Sequence, residues 1–258
     1  MSTRMLGAAI IAGLALMSAR ASATTLVSDP WDAGSAADPL NLYEIYNEMY
    51  GTEYTSTNGA GAVGGPGGLD GLQIDTSGVF DLLGDTDGVA VFVARYASRT
   101  QRFGYYTNPG DGSDSLAGDP GVGGGGVSGD YHHLFDVTGS SSQLLTPVDG
   151  SPAFIPVSDG PIGFYDNTPA GGGQTWYTQA GRNSDGEQHM VAYWAVYFDE
   201  ETQEWVQSDT TFIIAFEDLT NLGDSDYNDL VIEITISGGV TPTTLWRSRP
   251  PSRSSGLA

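Results

Sequence analysis

The stretch TTFIIAFEDLTNLGDSDYNDLVIEITIS, residues 210–237, consists of two apolar segments on either side of an acidic one. Every second residue of 230–236 is a branched aliphatic, and this period of two predicts a β-strand. The segment 210–216 is similarly rich in β-branched and aromatic residues, which favour strands. We therefore expect two strands that pair antiparallel, with the acidic segment as the loop between them.

The acidic loop, defined here as residues 217–229, concentrates carboxylate and amide side chains. Antiparallel pairing places Glu217 and Asp218 opposite Asp229 at the strand ends, about 5 Å apart. Clustered carboxylates repel one another and resist ionisation unless a cation lies among them. Ca²⁺ binds roughly six to eight oxygen atoms, and a loop of this length can supply them. The predicted calcium ligands are Glu217, Asp218, Asp224, Asp226, Asn228 and Asp229.

The acidic loop does not follow the EF-hand pattern, although its D-x-D-x-N spacing resembles the first positions of that motif. Asp229 stands where an EF-hand needs glycine, and Thr235 stands where it needs glutamate. Mg²⁺ is disfavoured because it retains water and tolerates crowded protein ligands poorly. The alternative to a metal site is a solvated turn, in which Asp and Asn serve turn geometry.

Three weaker polar groups also occur in turns. They are Asp85 with Asp87, Asp111 with Asp114, and Asn183 with Asp185. Each alone is more typical of a turn than of a ligand set. The last pair directly precedes an apolar strand whose expected neighbour is 210–216, so it can lend an oxygen to the acidic loop or to a second site.

The composition predicts a folded protein that attracts cations. The chain of 258 residues has 32 Asp and Glu against nine Arg and no Lys. Five of these arginines lie in the first 20 residues or after residue 246, which leaves four against 32, a body charge of −28. Such a charge repels nucleic acid and anionic membranes. Hydrophobic residues at 39% and aromatics at 10% argue against disorder.

The first 23 residues have the features of a secretory signal peptide: Arg4, an apolar stretch, and Ala21-Ser22-Ala23 before an expected cleavage near Thr24. The apolar stretch is shorter than the roughly 20 residues of a membrane span. Cysteine is absent, so disulfides cannot stabilise an exported fold. The predicted division is a signal peptide at 1–23, an N-terminal helix and Gly-rich loop at 24–71, a β-sandwich at 72–240 and a disordered basic tail at 241–258.

One amphipathic helix is predicted near the start of the mature chain, with Asp38 as N-cap, Pro39 as first helical residue and Gly51 at its C-terminal end. A flexible Gly-rich loop is predicted for 55–71. The segment 188–199 is apolar on both faces, which predicts a central strand covered on both sides.

Strand patterns dominate the rest of the chain, and no helical pattern follows residue 80. The fold class predicted is mainly β: an antiparallel, jelly-roll-like β-sandwich with one short N-terminal helix and long Gly/Asp-rich loops. The predicted strands lie within 88–98, 102–107, 131–138, 161–167, 175–181, 188–199, 210–216 and 230–237.

FIIAFEDLTNLGDSDYNDLVIEI, residues 212–234, resembles the signature of domain of unknown function 4114, a secreted bacterial β-sandwich domain. FGYY, GFYDN, TWYT, NSDGEQHMVAYW and LYEIYNEMYGTEYTS are similar to upstream blocks of that family in exported proteins with a PEP-CTERM sorting tail. The resemblance covers most of residues 40–237. It implies a calcium site formed by the six acidic-loop residues named above, and a cell-surface or matrix setting without an established catalytic activity.

The tail departs from that family. A PEP-CTERM tail has Pro-Glu-Pro, an apolar membrane run and a terminal basic cluster, whereas 238–258 reads GGVTPTTLWRSRPPSRSSGLA without such a run. Two explanations stay open: the protein is released, or the tail is a frameshifted remnant of a lost anchor.

The sequence favours a non-catalytic protein. His132, His133 and His189 lie in no recognisable catalytic motif, and His189 is interpreted as structural. The predicted function is a secreted, Ca²⁺-stabilised protein of the cell surface or exopolysaccharide matrix, with polysaccharide or matrix proteins as partners. Two alternatives stay open. One is a carbohydrate-binding module that uses rings such as Trp176 and Tyr177, although alternating aromatics are more typical of a core. The other is a polysaccharide-acting enzyme with paired carboxylates.

Overall fold

The computed structural model confirms the mainly β class. It describes residues 40–54, 69–74, 77–82, 88–97, 100–121, 126–138, 143–144, 153–155, 160–169, 173–223, 225–236 and 240–242. Two antiparallel sheets account for most of this part of the chain. The sheets stack face to face, in the sandwich arrangement that the strand patterns predict.

Sheet I has seven strands among the described residues. Six follow one another in space: β13 (Val240–Pro242), β1 (Phe80–Leu82), β8 (Ile162–Thr168), β3 (Gln101–Thr107), β5 (Tyr131–Val137) and β4 (Val127–Ser128). The seventh, β9 (Gln174–Tyr177), pairs with the second half of β8, beyond the contact with β1.

Sheet II has six strands in the same described ranges. Five follow one another in space: β10 (Met190–Asp199), β11 (Glu204–Phe216), β12 (Leu230–Thr235), β2 (Gly88–Arg95) and β6 (Gln143–Leu144). The sixth, β7 (Ala153–Ile155), pairs with the other end of β2. The antiparallel pairing predicted between 210–216 and 230–237 is confirmed, with Phe216 opposite Leu230.

A single apolar layer fills the space between the sheets. Ile162 and Phe164 of β8 and Leu230, Ile232 and Ile234 of β12 are fully buried members of this layer. The alternation predicted from residue 230 onward is therefore confirmed. Burying each such side chain contributes about 1.5–3 kcal/mol of transfer free energy, which makes this layer the main stabilising feature of the fold.

Helix α1 (Leu42–Tyr50) begins later than the sequence suggested. Its N-cap is Asn41, whose backbone N–H donates to the Glu44 carboxylate at 2.8 Å. The predicted N-cap Asp38 and first helical residue Pro39 are therefore wrong. The chain favours the later start because Asn41 and Glu44 have the spacing of a capping box, which satisfies backbone donors at the helix start.

The end of α1 and its packing agree with its amphipathic pattern. Gly51 ends the helix with a left-handed φ of +69°, as predicted. Leu42, Ile45 and Tyr46 are buried against the outer face of sheet II, and the Tyr46 hydroxyl donates to the carbonyl oxygen of Trp194 at 2.6 Å.

A second, one-turn helix, α2 (Leu69–Leu72), occupies the end of the segment predicted as a flexible Gly-rich loop. That part of the prediction is wrong because Leu72 packs into the same outer cluster as α1, which fixes the chain there. Residues 55–68 of the predicted loop lie outside the described residues.

Strand β10 lies at an edge of sheet II among the described strands, so its predicted central position is wrong. The predicted cover on both faces is confirmed. Residues 190 and 192 face the inter-sheet layer, whereas 191 and 193 belong to the cluster beneath α1 and α2. The helices take the place of a neighbouring layer, and this explains why an edge strand is apolar on both faces.

Short strands at the margins of the sheets carried no sequence signal, and β13 extends sheet I to Pro242, two residues into the predicted tail. Residues 1–39 and 243–258, which include the predicted signal peptide and most of the predicted tail, lie outside the described residues. None of the helices described is long and apolar enough to cross a bilayer.

Candidate functional site

The acidic loop brings three carboxylates together between the end of β11 and the start of β12. Glu217, Asp218 and Asp229 each offer one carboxylate oxygen, and these atoms lie within 4.8 Å of one another. Their proximity follows from the strand register, which sets Phe216 opposite Leu230 and so brings the residues just past these two positions together. The predicted encounter of 217 and 218 with 229 across the loop therefore occurs.

The side chain of Asp229 links the two ends of the acidic loop. The Asp218 N–H donates to Asp229 Oδ2 at 2.7 Å. Burial raises the pKa of Asp229 well above its usual range, and the neighbouring charges of Asp218 and Glu217 raise it further. In the ion-free protein this carboxyl group therefore resists ionisation.

Glu217 is fully buried, and a tight turn closes over it. Its Oε1 accepts a hydrogen bond from the Leu219 N–H at 3.0 Å. Gly223 has a φ of +37°, and a Cβ there would lie 2.6 Å from the Leu219 side chain and 3.0 Å from Glu217 Oε1. Only glycine fits this position without a shift of its neighbours. Other left-handed residues of the loop are Asn221, Leu222, Ser225 and Tyr227.

Asp226 and Asn228, two of the remaining predicted ligands, make hydrogen bonds that stabilise the acidic loop. Asp226 and Asn228 are almost fully buried, and Asp226 Oδ1 accepts from the Asn228 N–H at 3.3 Å. The Asn228 Nδ2 donates to the carbonyl oxygen of Leu40 at 3.1 Å, which links the loop to the chain just before α1. Asp224, the sixth predicted ligand, lies outside the described residues.

Asn183 and Asp185, the weaker predicted ligands, act as scaffold in this structure. The Asn183 side chain bonds the backbone of Tyr177 and of Glu187. Asp185 Oδ2 accepts from the Asn221 N–H at 2.8 Å and faces His189 Nε2 at 2.9 Å. Asp185 is not part of the carboxylate cluster formed by Glu217, Asp218 and Asp229. It contacts the acidic loop directly at the Asn221 N–H and indirectly through His189.

His189 connects this scaffold to the loop. It is fully buried, its Nδ1 lies 2.8 Å from the carbonyl oxygen of Glu217, and its ring stacks on Trp176 with centroids 3.7 Å apart. These contacts give His189 the structural position that its place before an apolar strand suggested.

Trp176 is part of the core and of the site wall. It is fully buried, and its Nε1 donates to the carbonyl oxygen of Asp218 at 2.7 Å. Tyr177 is half-buried, and its hydroxyl lies 2.8 Å from that of Tyr131. Trp176 is therefore closed to sugar stacking, and Tyr177 contacts Tyr131 of the same sheet.

Behind the acidic loop lies a buried polar layer that sequence reasoning missed. Gln101 on β3 and Asp166 on β8 are fully buried. Gln101 Nε2 lies 3.1 Å from Asp166 Oδ2 and 3.5 Å from Asp218 Oδ2. The alternation of side chains along β8 could have revealed Asp166. It lies two and four residues after Phe164 and Ile162, on the same inward face, so its carboxylate points into the sandwich.

Arg95 of β2 completes this layer, and a β-bulge turns it inward. The pairing of β2 with β12 shifts register between Val231 and Ile232, which leaves Val93 and Ala94 both in the outer cluster. Arg95 is consequently directed inward and is fully buried. Burial lowers its pKa, an effect opposed by the charges of Asp166, Asp218 and Asp229.

Asp111 and Asp114, another of the weak acidic groups, do not join the site. Asp111 Oδ1 accepts from Ser113, as in an ordinary turn, and both Asp111 and Asp114 are exposed. Asp85 and Asp87 lie outside the described residues.

The arrangement as a whole offers oxygen atoms to a hard cation. Four buried or half-buried carboxylates, Asp166, Glu217, Asp218 and Asp229, surround one end of the sandwich. One guanidinium, from Arg95, acts on three of them. The donors are all oxygen, which is the chemistry of Ca²⁺ and Mg²⁺ sites and not of thiolate or imidazole metal sites.

Comparison with known proteins gives one family. Residues 151–237 match the model of Domain of unknown function (DUF4114). The matched segment contains strands β7 to β12 and the whole acidic loop, and it excludes α1, β2 and β3. No curated protein and no solved structure matches the chain.

Proposed function

We propose that this protein is a secreted, non-catalytic β-sandwich whose fold is stabilised by Ca²⁺ at the acidic loop, and that it acts at the bacterial cell surface or in the exopolysaccharide matrix. Matrix polysaccharide or other surface proteins are the proposed partners. The signal-like residues 1–23, the lack of cysteine and the resemblance to exported proteins with PEP-CTERM tails support the extracellular setting.

The convergence of Glu217, Asp218 and Asp229 carries the calcium proposal. Three carboxylates whose oxygens lie within 4.8 Å of one another, with Glu217 fully buried, repel one another in the absence of a cation. A dication offsets that repulsion. By joining both ends of the loop, it also supplies a cross-link that a disulfide supplies in other exported proteins.

The charge balance also favours a divalent ion. With Asp166 included, the cluster has four carboxylates, and the single positive charge of Arg95 acts on three of them, Asp166, Asp218 and Asp229. A bound divalent cation would bring the net charge of these four carboxylates and Arg95 close to zero. Ca²⁺ fits better than Mg²⁺ because it accepts several protein oxygens in irregular geometry, whereas Mg²⁺ keeps most of its water.

The two alternative functions have less support. A carbohydrate-binding module that uses Trp176 needs this ring to be exposed, yet Trp176 is buried. A glycosidase needs two carboxylates that reach its substrate. Asp166 and Asp218 do share Gln101 as a common donor, but they are 0% and 6% exposed, which closes them to a polysaccharide chain.

Thermal unfolding of the purified protein with excess Ca²⁺ and with chelator tests the proposal. At a Ca²⁺ concentration of 100 times the dissociation constant, the free energy of unfolding is expected to rise by about 2.7 kcal/mol. For a domain of this size that corresponds to a Tm increase of several degrees. An equal concentration of Mg²⁺ is expected to give a smaller increase.

Two variants make the test specific. The double variant Asp218→Asn, Asp229→Asn is expected to lose the Ca²⁺-dependent increase. Asp209→Asn, which removes one exposed carboxylate from β11, is expected to keep it. Wild-type protein that melts at the same temperature in Ca²⁺ and in chelator would refute the calcium proposal, and an increase retained by the double variant would place the ion elsewhere.

A further inference from the structure

Asp166 belongs to the other sheet, yet it lies beside the acidic loop. Its Oδ2 and the Oδ2 of Asp218 are both held by Gln101 Nε2, at 3.1 Å and 3.5 Å. Asp166 also follows Ile162 and Phe164 on the inward face of β8, so its carboxylate points into the end of the sandwich that the loop closes. A cation bound by Asp218 is therefore next to Asp166.

Two oxygen atoms at this place have no hydrogen-bond partner among the described residues. They are Asp166 Oδ1 and Gln101 Oε1, and both side chains are 0% exposed. Buried polar atoms are nearly always satisfied, so unpartnered oxygen atoms on two side chains beside a carboxylate cluster require an explanation. Oxygen atoms without donors are what an oxygen-binding cation satisfies directly.

Neutralisation of Asp166 by Arg95 alone explains these unpartnered oxygen atoms less well than a bound cation does. Arg95 is the cation that acts on Asp166, but it acts on Asp218 and Asp229 as well. One guanidinium spread over three carboxylates leaves net negative charge at a position where water is excluded.

We propose that Asp166 is an inner ligand of the cation held by Glu217, Asp218 and Asp229, so that one ion joins sheet I to sheet II. This inference rests on the calcium site proposed above and adds to it. The predicted loop ligands alone would tie together only β11 and β12, which are already paired in sheet II. Asp166 extends the cross-link across the apolar layer.

Hydrogen exchange of the wild-type protein with and without Ca²⁺ tests this extension directly. If Asp166 binds the ion, Ca²⁺ is expected to slow amide exchange in β8 and at the start of β3 as well as in the acidic loop. If Ca²⁺ protects only the loop and its flanking strands, Asp166 is not a ligand. This comparison uses the wild-type chain alone, so it does not depend on how any variant folds.

Calcium titration of Asp166→Asn by calorimetry provides the second arm. The variant keeps the shape of the side chain and removes its charge, and its affinity for Ca²⁺ is expected to fall by at least the ~10- to 100-fold that follows loss of a supporting group at a metal site. Asp209→Asn is the matched control and is expected to bind as the wild type does.

The possible outcomes distinguish the proposed role of Asp166 from the proposed calcium site of the acidic loop. Wild-type affinity in Asp166→Asn, with loss of binding in the Asp218→Asn, Asp229→Asn variant, would overturn the role of Asp166 and leave the loop site standing. Absence of Ca²⁺ binding by the wild-type protein would remove both proposals. Weakened binding in Asp166→Asn together with Ca²⁺-dependent protection of β8 would support the cross-link between the sheets.

Discussion

Two Asp-rich loops of this protein place their carboxylates in opposite ways. In the loop 108–121, Asp111, Asp114 and Asp119 are exposed. The cation beside that loop is a side chain: Arg182 donates to the carbonyl oxygens of Pro109 and Asp114. In the acidic loop the carboxylates turn inward and face one another. Composition alone predicts a loop in both cases, and burial distinguishes the loop for which we propose a metal ion.

The largest expected effect comes from removing the internal cation of the acidic site. Arg95→Met leaves Asp166, Asp218 and Asp229 without their buried guanidinium, and loss of one partner of a buried ionic group costs about 3–5 kcal/mol. We expect the free energy of unfolding in chelator to fall by that amount, as measured by urea denaturation.

Calcium is expected to restore part of this loss. Removing a positive charge next to the site strengthens cation binding, so the stabilisation by Ca²⁺ is expected to be larger in Arg95→Met than in the wild type. A variant that is destabilised equally in Ca²⁺ and in chelator would show that Arg95 and the ion do not share the same carboxylates.

The two loops are also expected to respond to pH in opposite directions. Burial, reinforced by Asp218 and Glu217, raises the pKa of Asp229, whereas hydrogen bonds from Ser113 lower the pKa of Asp111. Between the ordinary carboxyl pKa of about 4 and the raised value of Asp229, the folded ion-free protein binds more protons than the unfolded chain. Its stability is therefore expected to fall as the pH rises through this window.

Calcium binding has the opposite dependence because it requires deprotonated carboxylates. The Tm increase caused by Ca²⁺ is thus expected to grow as the pH rises through the same window, in melts recorded with Ca²⁺ and with chelator. A Ca²⁺-dependent increase that shrinks with rising pH would contradict the assignment of Asp229 as a buried ligand.

The smallest expected effect belongs to the loop 108–121. Besides the two carbonyl contacts, Arg182 donates to Gln179 Oε1 at 2.8 Å and lies 5.3 Å from the Tyr106 ring centroid. Because Arg182 is partly exposed, we expect Arg182→Ala to cost only about 1–2 kcal/mol. The cost is expected to be the same with and without Ca²⁺ in urea denaturation. A calcium-dependent cost would show that this loop also binds the ion.

The sequence predicted those parts of the protein that depend on local pattern. The alternation in 230–236 identified the inward face of β12, and the position of the acidic residues just past two strand ends predicted the approach of Glu217 and Asp218 to Asp229. Both follow from the fixed geometry of antiparallel pairs.

The parts that failed depend on contacts between distant segments. β10 was predicted to be central because a strand covered by helices has the same apolar pattern as one covered by sheets. Arg95 was missed because only the bulge opposite β12 turns it inward. Asp166 had a usable parity signal, but its meaning depends on the loop that closes over it, more than 50 positions later in the chain.

The edge position of β10 has a consequence for solubility. An edge strand with open backbone groups can template the addition of strands from other molecules, which leads to aggregation. Backbone at residues 73–74 covers the first half of β10, whereas its second half ends in exposed Tyr197 and Phe198. The turn beyond them carries Asp199, Glu200, Glu201 and Glu204. Carboxylates at this tip repel the same tip of another copy, which opposes strand addition along the part of β10 that no described segment covers.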